Sequence, residues 1–408
     1  MRMDRRAFLK HSVGSGFLAL APPWLLGETV PEREKPLFEL QKVAPTPVKI
    51  ASIELLKSGE RHLVRSTSTG GATGISFTNE RIRYLHPILE QLVIPYFLGK
   101  DARDLESLVD GVYVHQSNYK LAGLALWNCV GWVEFSLLDL LGKIAGKPVG
   151  ELLGGVHRTE IPVYLSSLRR DTTPEEEVEW LGKRIEETRA RAVKLKVGGR
   201  MSRNADAAPG RTDRLVPLAR KTFGDSIAIY VDSNGSYDSR KAIEVGRMLE
   251  AHRVAFFEEP CPFDEYEETK RVADALDMPV AGGEQDTSFP RFREMVGDRV
   301  VDIVQPDINY NGGFIRTARV ARLAEAKGMK ITPHSPAQGP NVAYMLQFGS
   351  ATRNIGAHLE FNAAPRAPER WYSPALEVKA GVIQVPRGPG LGIEIDPEVL
   401  KTARKMNA

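Results

Sequence analysis

The chain of 408 residues has only two cysteines, Cys129 and Cys261, and no cysteine pair at the spacing of zinc ligands. This excludes a disulfide framework, and we expect Cys129, which lies in an apolar run, to be a small core residue. A glycine-rich phosphate loop is also missing, which argues against a dinucleotide site. Charge is nearly balanced, since 55 Lys and Arg against 52 Asp and Glu give +3. We therefore expect no nucleic-acid partner.

The first 27 residues have the pattern of an export signal, with a basic start and an uncharged stretch after it. The apolar part, 17–26, has about half of the ~20 residues that cross a bilayer, so no stable membrane span is expected. The run Arg5-Arg6-Ala7-Phe8-Leu9-Lys10 resembles the twin-arginine signal. That resemblance implies the twin-arginine export machinery as a partner and a periplasmic or otherwise exported protein. Residues 28–45, rich in Glu, Pro and Lys, are predicted to be a linker.

The rest of the chain divides by its pattern into three parts. Residues 46–158 combine short β-type runs, a flexible loop at Ser66–Gly74 and helical segments, which predicts an α+β domain. In 159–362, eight short β-branched runs alternate with helical segments, which favours a closed (β/α)8 barrel over an open doubly wound sheet. The eight runs are 161–164, 192–196, 227–231, 254–257, 279–281, 301–304, 329–332 and 355–359. Residues 363–408 are expected to return to the first domain.

Polar residues of catalytic type stand at the ends of seven of these runs, 23 to 36 residues apart. They are Lys196, Asp232, Glu258, Glu284, Asp307, His334 and Glu360. A single carboxylate after a strand is more often a helix cap, and a lone histidine is more often structural. In a barrel, however, the carboxyl ends of the strands meet at one mouth. The joint pattern therefore predicts a single site.

Carboxylates on three successive strands, Asp232, Glu258 and Glu284, suit a hard cation such as Mg2+. A bound Mg2+ can stabilise the enediolate that forms when the proton next to a substrate carboxylate is removed. Lys196 is a candidate base, but a lysine needs a lowered pKa to act near neutrality. Lys194 lies on the same strand face and, with the metal, would lower that pKa.

Asp307 and His334 follow adjacent strands and fit an acid–base dyad. The site therefore has a second group that can carry a proton, separate from the lysine pair.

Val193-Lys194-Leu195-Lys196-Val197 resembles the Lys-x-Lys motif of the enolase superfamily, and the segments around Asp232, Glu258 and Glu284 resemble its three metal-ligand motifs. Asp307 and His334 match the dyad of the mandelate racemase group, whereas the muconate-cycloisomerase group has a lysine at the position of Asp307. The resemblance implies a TIM-type (β/α)8 barrel with an N-terminal α+β capping domain. It also implies mobile cap loops over the mouth, a role that we expect for Ser66–Gly74.

The same resemblance implies roles for the site residues. Lys196 is the base on one face of the substrate and His334 acts on the other. Lys194 tunes Lys196 and contacts the substrate carboxylate, and Glu360 resembles the electrophilic carboxyl group of the family. Asn234 is expected to contact the metal site or the substrate.

These groups predict abstraction of the proton alpha to a carboxylate of a small-molecule substrate. The favoured outcome is dehydration of a sugar acid or related hydroxy acid to a 2-keto acid. Two alternatives stay open: a racemase or epimerase that uses two-base 1,1-proton transfer, and a non-catalytic secreted binding protein. The substrate and a homo-oligomeric state are also left open. Arg169 and Arg170 follow the first strand and either meet an anionic substrate or lie in a solvated loop.

Overall fold

The computed structural model of the protein describes residues 36–367 and 369–406, so the predicted export signal lies outside the described residues. The described chain forms an N-terminal cap and a parallel-stranded barrel.

The cap begins with three antiparallel strands followed by helices, and a fourth strand from the C-terminal segment joins the same sheet. Its strands are β1 (Ile50–Ser58), β2 (Arg61–Ser68) and β3 (Thr73–Phe77). Its helices are α1 (Ile82–Ile88), α2 (Ile94–Phe97), α3 (Leu105–Val114), α4 (Leu124–Ala145) and α5 (Val149–Leu152). In the sheet, Leu55 pairs with Val64 and Leu63 pairs with Phe77. This sheet and α4 enclose much of the apolar core of the cap.

Helix α4, with 22 residues, is long and apolar enough to cross a membrane, but 89% of its apolar window is buried in the fold. It packs directly on β3, where a Cβ added to Gly74 would lie 2.0 Å from the carbonyl oxygen of Ser136. The hydroxyl of Ser136 also lies 2.6 Å from that of the buried Ser66. The expectation of a flexible loop at Ser66–Gly74 is therefore wrong, because β2 runs to Ser68, β3 starts at Thr73, and only a short turn joins them.

Eight parallel strands alternate with helices and form the barrel. The strands are β4 (Glu160–Ser166), β5 (Ala192–Lys196), β6 (Ala228–Asp232), β7 (Phe256–Glu258), β8 (Val280–Gly282), β9 (Ile303–Val304), β10 (Lys330–Ile331) and β11 (Leu359–Asn362). The helices are α6 (Pro174–Thr188), α7 (Arg211–Phe223), α8 (Ser239–Ala251), α9 (Tyr266–Ala275), α10 (Phe289–Gly297), α11 (Phe314–Ala326) and α12 (Val342–Ala351).

The strand order is β10-β9-β8-β7-β6-β5-β4-β11, so each strand from β4 to β10 lies beside the next in sequence. The ring closes where β11 pairs with β4 and where Ile331 of β10 forms a parallel bridge with Ile355. The eighth strand is Leu359–Asn362 rather than the predicted 355–359, which places Glu360 inside the strand and not after it. This architecture is the predicted TIM-type barrel with a cap.

Local sequence explains both layers of the barrel. All five residues of β5 are buried, as expected for a parallel strand that is covered on both faces. The aromatic rings of Tyr164, Tyr230 and Phe256 pack together in a cluster formed by barrel-strand residues. Helix α6 begins with Thr173 and Glu176 as a reciprocal capping box and with Pro174 in its first turn, so its start is set by sequence.

The C-terminal segment contains β12 (Tyr372–Ser373), β13 (Val382–Gln384), β14 (Glu394–Ile395), α13 (Pro397–Thr402) and β15 (Arg404–Lys405). Strand β13 pairs with β4 of the barrel, and β15 pairs with β1, so the chain returns to the cap. At the other end, Phe38 and Leu40 are buried, and the backbone N–H of Phe38 donates to Glu106. Packed structure thus starts before residue 46, inside the stretch predicted as a linker.

Candidate active site

The barrel strands bring the predicted residues to one end of the sheet. Lys196, Asp232 and Glu258 are the last residues of β5, β6 and β7, and the strand register pairs Lys196 with Asp232 and Asp232 with Glu258. Glu284 follows two residues after the end of β8. Because successive parallel strands end at the same side of the barrel, these side chains converge.

The other three residues complete the same rim. Asp307 and His334 each follow three residues after their strands, β9 and β10, and form a parallel bridge with each other. Glu360 is the second residue of β11 and its carboxylate is buried.

Asp232, Glu258 and Glu284 can each offer one carboxylate oxygen such that all three oxygens lie within 4.8 Å of one another. All three side chains are buried, and the Oε2 of Glu284 has no hydrogen-bond partner among the described residues. Burial and the neighbouring carboxylates raise the pKa of Glu258 to about 8, against the lowering effect of Lys194. Three buried oxygen donors that repel one another fit a hard divalent cation.

Lys194 is fully buried between two carboxylates. Its Nζ donates to both oxygens of Glu258 at 2.8 and 2.9 Å and lies 2.8 Å from Oε1 of Glu360. Burial alone would lower the pKa of Lys194, but the charges of Glu258 and Glu360 outweigh it and hold that pKa well above its ordinary value. Lys194 is therefore a fixed cation that links the carboxylate cluster to Glu360.

Lys196 contacts Asp232, whereas Lys194 contacts Glu258. Its Nζ donates to Oδ2 of Asp232 and, at 3.4 Å, to Oδ1 of Asn234. Asn234 has a left-handed backbone with φ of 42°, its N–H donates to Asp232, and its side-chain amide donates to Glu259 at 3.3 Å. The structure thus places Asn234 beside both Lys196 and a candidate metal ligand.

His334 approaches the carboxylate cluster from the opposite flank. Its Nδ1 lies 2.7 Å from Oδ2 of Asp307, and its Nε2 lies 3.4 Å from Glu284 and 3.9 Å from Glu360. Burial lowers the pKa of His334, but the charges of Glu284 and Glu360 and the bond to Asp307 outweigh this effect and raise the pKa to about 10. The other oxygen of Asp307 accepts the backbone N–H of Tyr310, which fixes the carboxylate. The ring is therefore oriented with Nε2 toward the cluster.

Sequence reasoning missed some residues that contact this site. Gln305 donates to Oε2 of Glu258 at 2.9 Å, and the hydroxyl of Tyr164 lies 3.4 Å from Nζ of Lys194. Gln305 directly follows the apolar strand β9, and Lys196 is the polar residue that ends β5. A polar residue at a strand end was therefore a sequence signal from which Gln305 could have been predicted. Tyr164 looks like an ordinary strand aromatic, so only the structure reveals its contact.

The cap reaches the barrel mouth with a segment other than the one expected. Arg81, just before α1, donates to the hydroxyl of Tyr310 at 3.0 Å, and the Tyr310 ring lies 6.1 Å from that of His334. Three residues before Arg81, the carbonyl oxygen of Thr78 accepts a hydrogen bond from the side chain of Asn341 at 3.4 Å. The cap residue that these contacts bring near the acid–base dyad is thus Arg81, whereas Ser66 and Gly74 contact α4.

The sequence profile of the family described as "Enolase C-terminal domain-like" matches residues 176–399. The chain belongs to the enolase superfamily. It is 30% identical to arabinonate dehydratase of Saccharolobus solfataricus over 315 aligned residues. The aligned region covers 75% of this chain and 80% of the relative. Enzymes of this superfamily with dehydratase and racemase names are thus its relatives, and the chain is an enzyme of lyase or isomerase type.

Two solved structures extend the similarity over the cap. A candidate racemase from Roseobacter denitrificans superposes with a TM-score of 0.82 at 37% identity, covering 88% of this chain and 99% of that one. A mandelate racemase/muconate lactonizing protein from Paracoccus denitrificans, solved in complex with magnesium, gives a TM-score of 0.80 at 25% identity with the same coverage.

Proposed function

We propose that the protein is a Mg2+-dependent dehydratase that converts a sugar acid or related hydroxy acid to a 2-keto acid. The observation that carries this proposal is the buried carboxylate cluster with Lys196 on one flank and His334 on the other. The similarity to arabinonate dehydratase supports dehydration as the outcome.

In this proposal Asp232, Glu258 and Glu284 hold the metal ion. When bound, Mg2+ supplies Lewis-acid stabilisation of the negative charge that develops on the substrate carboxylate. The magnesium complex of the Paracoccus denitrificans relative supports this metal. Lys194, fixed between Glu258 and Glu360, places a permanent positive charge beside the same carboxylate.

The chain then provides two proton carriers. Lys196, in its neutral form, takes the proton from the α-carbon, and His334 in its charged form gives a proton to the hydroxyl leaving the β-carbon, which departs as water. The resulting enol takes up a proton at the β-carbon, loses the proton of its hydroxyl group and becomes the 2-keto acid. Asp307 holds Nδ1 of His334 and keeps Nε2 turned toward the substrate.

A second candidate, racemisation or epimerisation, is favoured by the same two flanks, because two opposed proton carriers can exchange the α-proton without loss of hydroxide. The similarity to the candidate racemase from Roseobacter denitrificans also supports it. The two functions differ in product, since only dehydration forms a keto group.

The test incubates the purified chain with Mg2+ and a panel of sugar acids that includes arabinonate, galactonate and galactarate. Keto products are measured by semicarbazone absorbance and α-hydrogen exchange by NMR in deuterated water. We expect Mg2+-dependent keto product that EDTA removes and that falls at least about 100-fold in Lys196→Ala, with the exposed-lysine variant Lys183→Ala as the control. Exchange without keto product would replace dehydration by epimerisation. Tight binding with neither reaction would contradict the proposed substrate class.

We also propose that the chain is exported by the twin-arginine route, on the basis of Arg5 and Arg6 and the apolar stretch after them. The test expresses the full chain in a bacterium and assays the periplasmic fraction by immunoblot. We expect export to depend on both arginines. Periplasmic protein that is unchanged in an Arg5→Lys, Arg6→Lys double variant would remove the proposal.

A further inference from the structure

Arg170, one of the two arginines that follow the first barrel strand, lies at the candidate active site. Its Nη2 donates to Oδ1 of Asn234 at 2.8 Å, and its Nε donates to the carbonyl oxygen of Gly198 at 3.2 Å. The same Oδ1 accepts from Nζ of Lys196 at 3.4 Å. The guanidinium and the proposed base therefore share one acceptor and lie side by side.

The half-buried Arg170 has no carboxylate partner within 4 Å in the part of the chain that the structure describes. Its neighbour Arg169 differs in this respect, because its Nε lies 3.6 Å from Glu177 and its guanidinium stacks over Trp180 at 4.8 Å. Within the described ranges, Nη1 of Arg170 also donates to no protein atom. The guanidinium of Arg170 is thus partly desolvated and has N–H groups that no protein acceptor uses. An anionic group on a bound ligand would best satisfy these N–H groups and balance the charge.

The position of Arg170 restricts which part of a ligand it can meet. In the proposed function, the reacting carboxylate binds at the cluster of Asp232, Glu258 and Glu284, and the α-carbon faces Lys196. A group that reaches Arg170, beyond Lys196 and Asn234, belongs to the remainder of the substrate's carbon chain. The planar fork of a guanidinium fits a carboxylate there better than a neutral hydroxyl.

We infer that Arg170 is a specificity-determining residue that binds a second acidic group at the far end of the substrate, so that the enzyme prefers sugar diacids to sugar monoacids. This inference rests on the proposed function for the placement of the reacting carboxylate. It adds a substrate class that the carboxylate cluster and the acid–base pair do not specify.

The experiment compares matched acids that differ only at the far carbon: galactarate with galactonate, and glucarate with gluconate. Arg170→Met removes the charge, Arg170→Lys keeps the charge without the fork, and Arg169→Met is the control next to it in sequence. Dissociation constants with Mg2+ are measured by calorimetry in a His334→Asn background, where turnover is slowed. Steady-state kcat and KM are measured without that background change, and melting temperature reports folding.

We expect tighter binding of at least one diacid than of its monoacid partner. Arg170→Met should weaken diacid binding by about 10- to 100-fold, the loss of one charge-assisted carboxylate contact, and monoacid binding by less than about threefold. Arg170→Lys should give an intermediate loss of diacid binding, which raises KM rather than lowering kcat. Arg169→Met should leave the binding of both acids unchanged. Equal weakening of both acids would show that Arg170 only braces Asn234 or meets a shared hydroxyl, and would overturn the inference. Tighter binding of the monoacids would overturn it as well.

The two proposals can fail separately. Diacid binding that depends on Arg170 without any keto product would contradict dehydration but keep this inference. Keto product from acids whose binding is indifferent to Arg170 would contradict this inference alone.

Discussion

Glu134 joins the cap to the loop that carries Asp307 of the acid–base dyad, and its removal should destabilise the fold. It lies in α4 with no exposed surface, and its two oxygens accept the backbone N–H groups of Phe314 and Ile315 at 2.6 and 2.9 Å. Those groups are the first two of α11, so Glu134 satisfies two of the unpaired donors at a helix start. A Cβ at Gly313 would lie 1.9 Å from its Oε2, which shows how closely the loop packs on the carboxylate.

The size of the effect follows from these contacts. Glu134→Ala leaves two buried N–H groups without an acceptor, at about 1–3 kcal/mol each, so the free energy of unfolding should fall by about 2–6 kcal/mol. Glu134→Gln keeps one acceptor but turns an amide N–H toward a backbone N–H, so about 1–3 kcal/mol should be lost. Urea unfolding followed by tryptophan fluorescence measures both, with the exposed glutamate variant Glu186→Ala as the control.

The same change should affect catalysis in the folded enzyme. The loop held by Glu134 contains Tyr310, whose backbone N–H fixes Asp307, and Asp307 in turn orients His334. Below its melting temperature, Glu134→Gln should therefore lower kcat with little change in KM. A loss of stability under about 1 kcal/mol in Glu134→Ala would refute the reasoning, because the two N–H groups would then have found other partners.

Three further predictions concern the carboxylate cluster, the dyad and the cap. Glu284→Gln should weaken Mg2+ binding at least about tenfold in calorimetry, because one of three buried carboxylate ligands is lost. Unchanged affinity would contradict the proposal that the carboxylate cluster binds the metal. Asp307→Asn should bring the pKa of His334 down from about 10, followed by NMR titration without Mg2+; an unchanged pKa would contradict the dyad. Because that folded-state pKa lies above the ordinary 6.5, His334 stabilises the fold fully below pH 6.5, and this contribution is lost as the pH rises toward 10. Gly74→Ala should lower the melting temperature, since its Cβ would lie 2.0 Å from a carbonyl oxygen of α4, whereas Gly70→Ala, with its nearest contact at 3.8 Å, should not; equal effects would contradict this packing.

The barrel could be predicted from sequence because two independent patterns coincide. Buried parallel strands read as short β-branched runs, and the residues just after them mark the mouth. Lys196, Asp232 and Glu258 are strand-terminal in the structure, so the pattern located the rim without any tertiary information. Each strand and the polar residue at its end could therefore be predicted from the local sequence of that strand.

Errors arose where tertiary packing decides the structure. The glycines and hydroxyl residues of Ser66–Gly74 look like a loop, yet Gly74 lies where α4 leaves no room for a side chain. The eighth strand shows the same effect, because Ile355 forms a bridge with β10 and a Cβ at Gly356 would lie 2.2 Å from Thr332. The chain then pairs with β4 only from Leu359. Close approach between elements that are distant in sequence leaves no periodic signal.

The division of work between the two lysines follows from charge placement that a period-two pattern cannot show. Lys194 and Lys196 share a strand face, and the sequence predicts Lys196 as the base without showing which groups hold each lysine. In the structure Lys194 is held by Glu258 and Glu360, and these charges keep its pKa well above the ordinary value, so it cannot readily give up its proton. Lys196 contacts Asp232, whose oxygen is offered to the proposed metal, and a cation there would compete for the carboxylate that otherwise pairs with the ammonium. If Asp232 and Glu258 held a metal ion, Lys194 would keep Glu360 as its partner, whereas Lys196 has no second carboxylate within 4 Å in the part of the chain that the structure describes. In the proposed function, Lys196 would therefore be the lysine that is free to accept the substrate's α-proton.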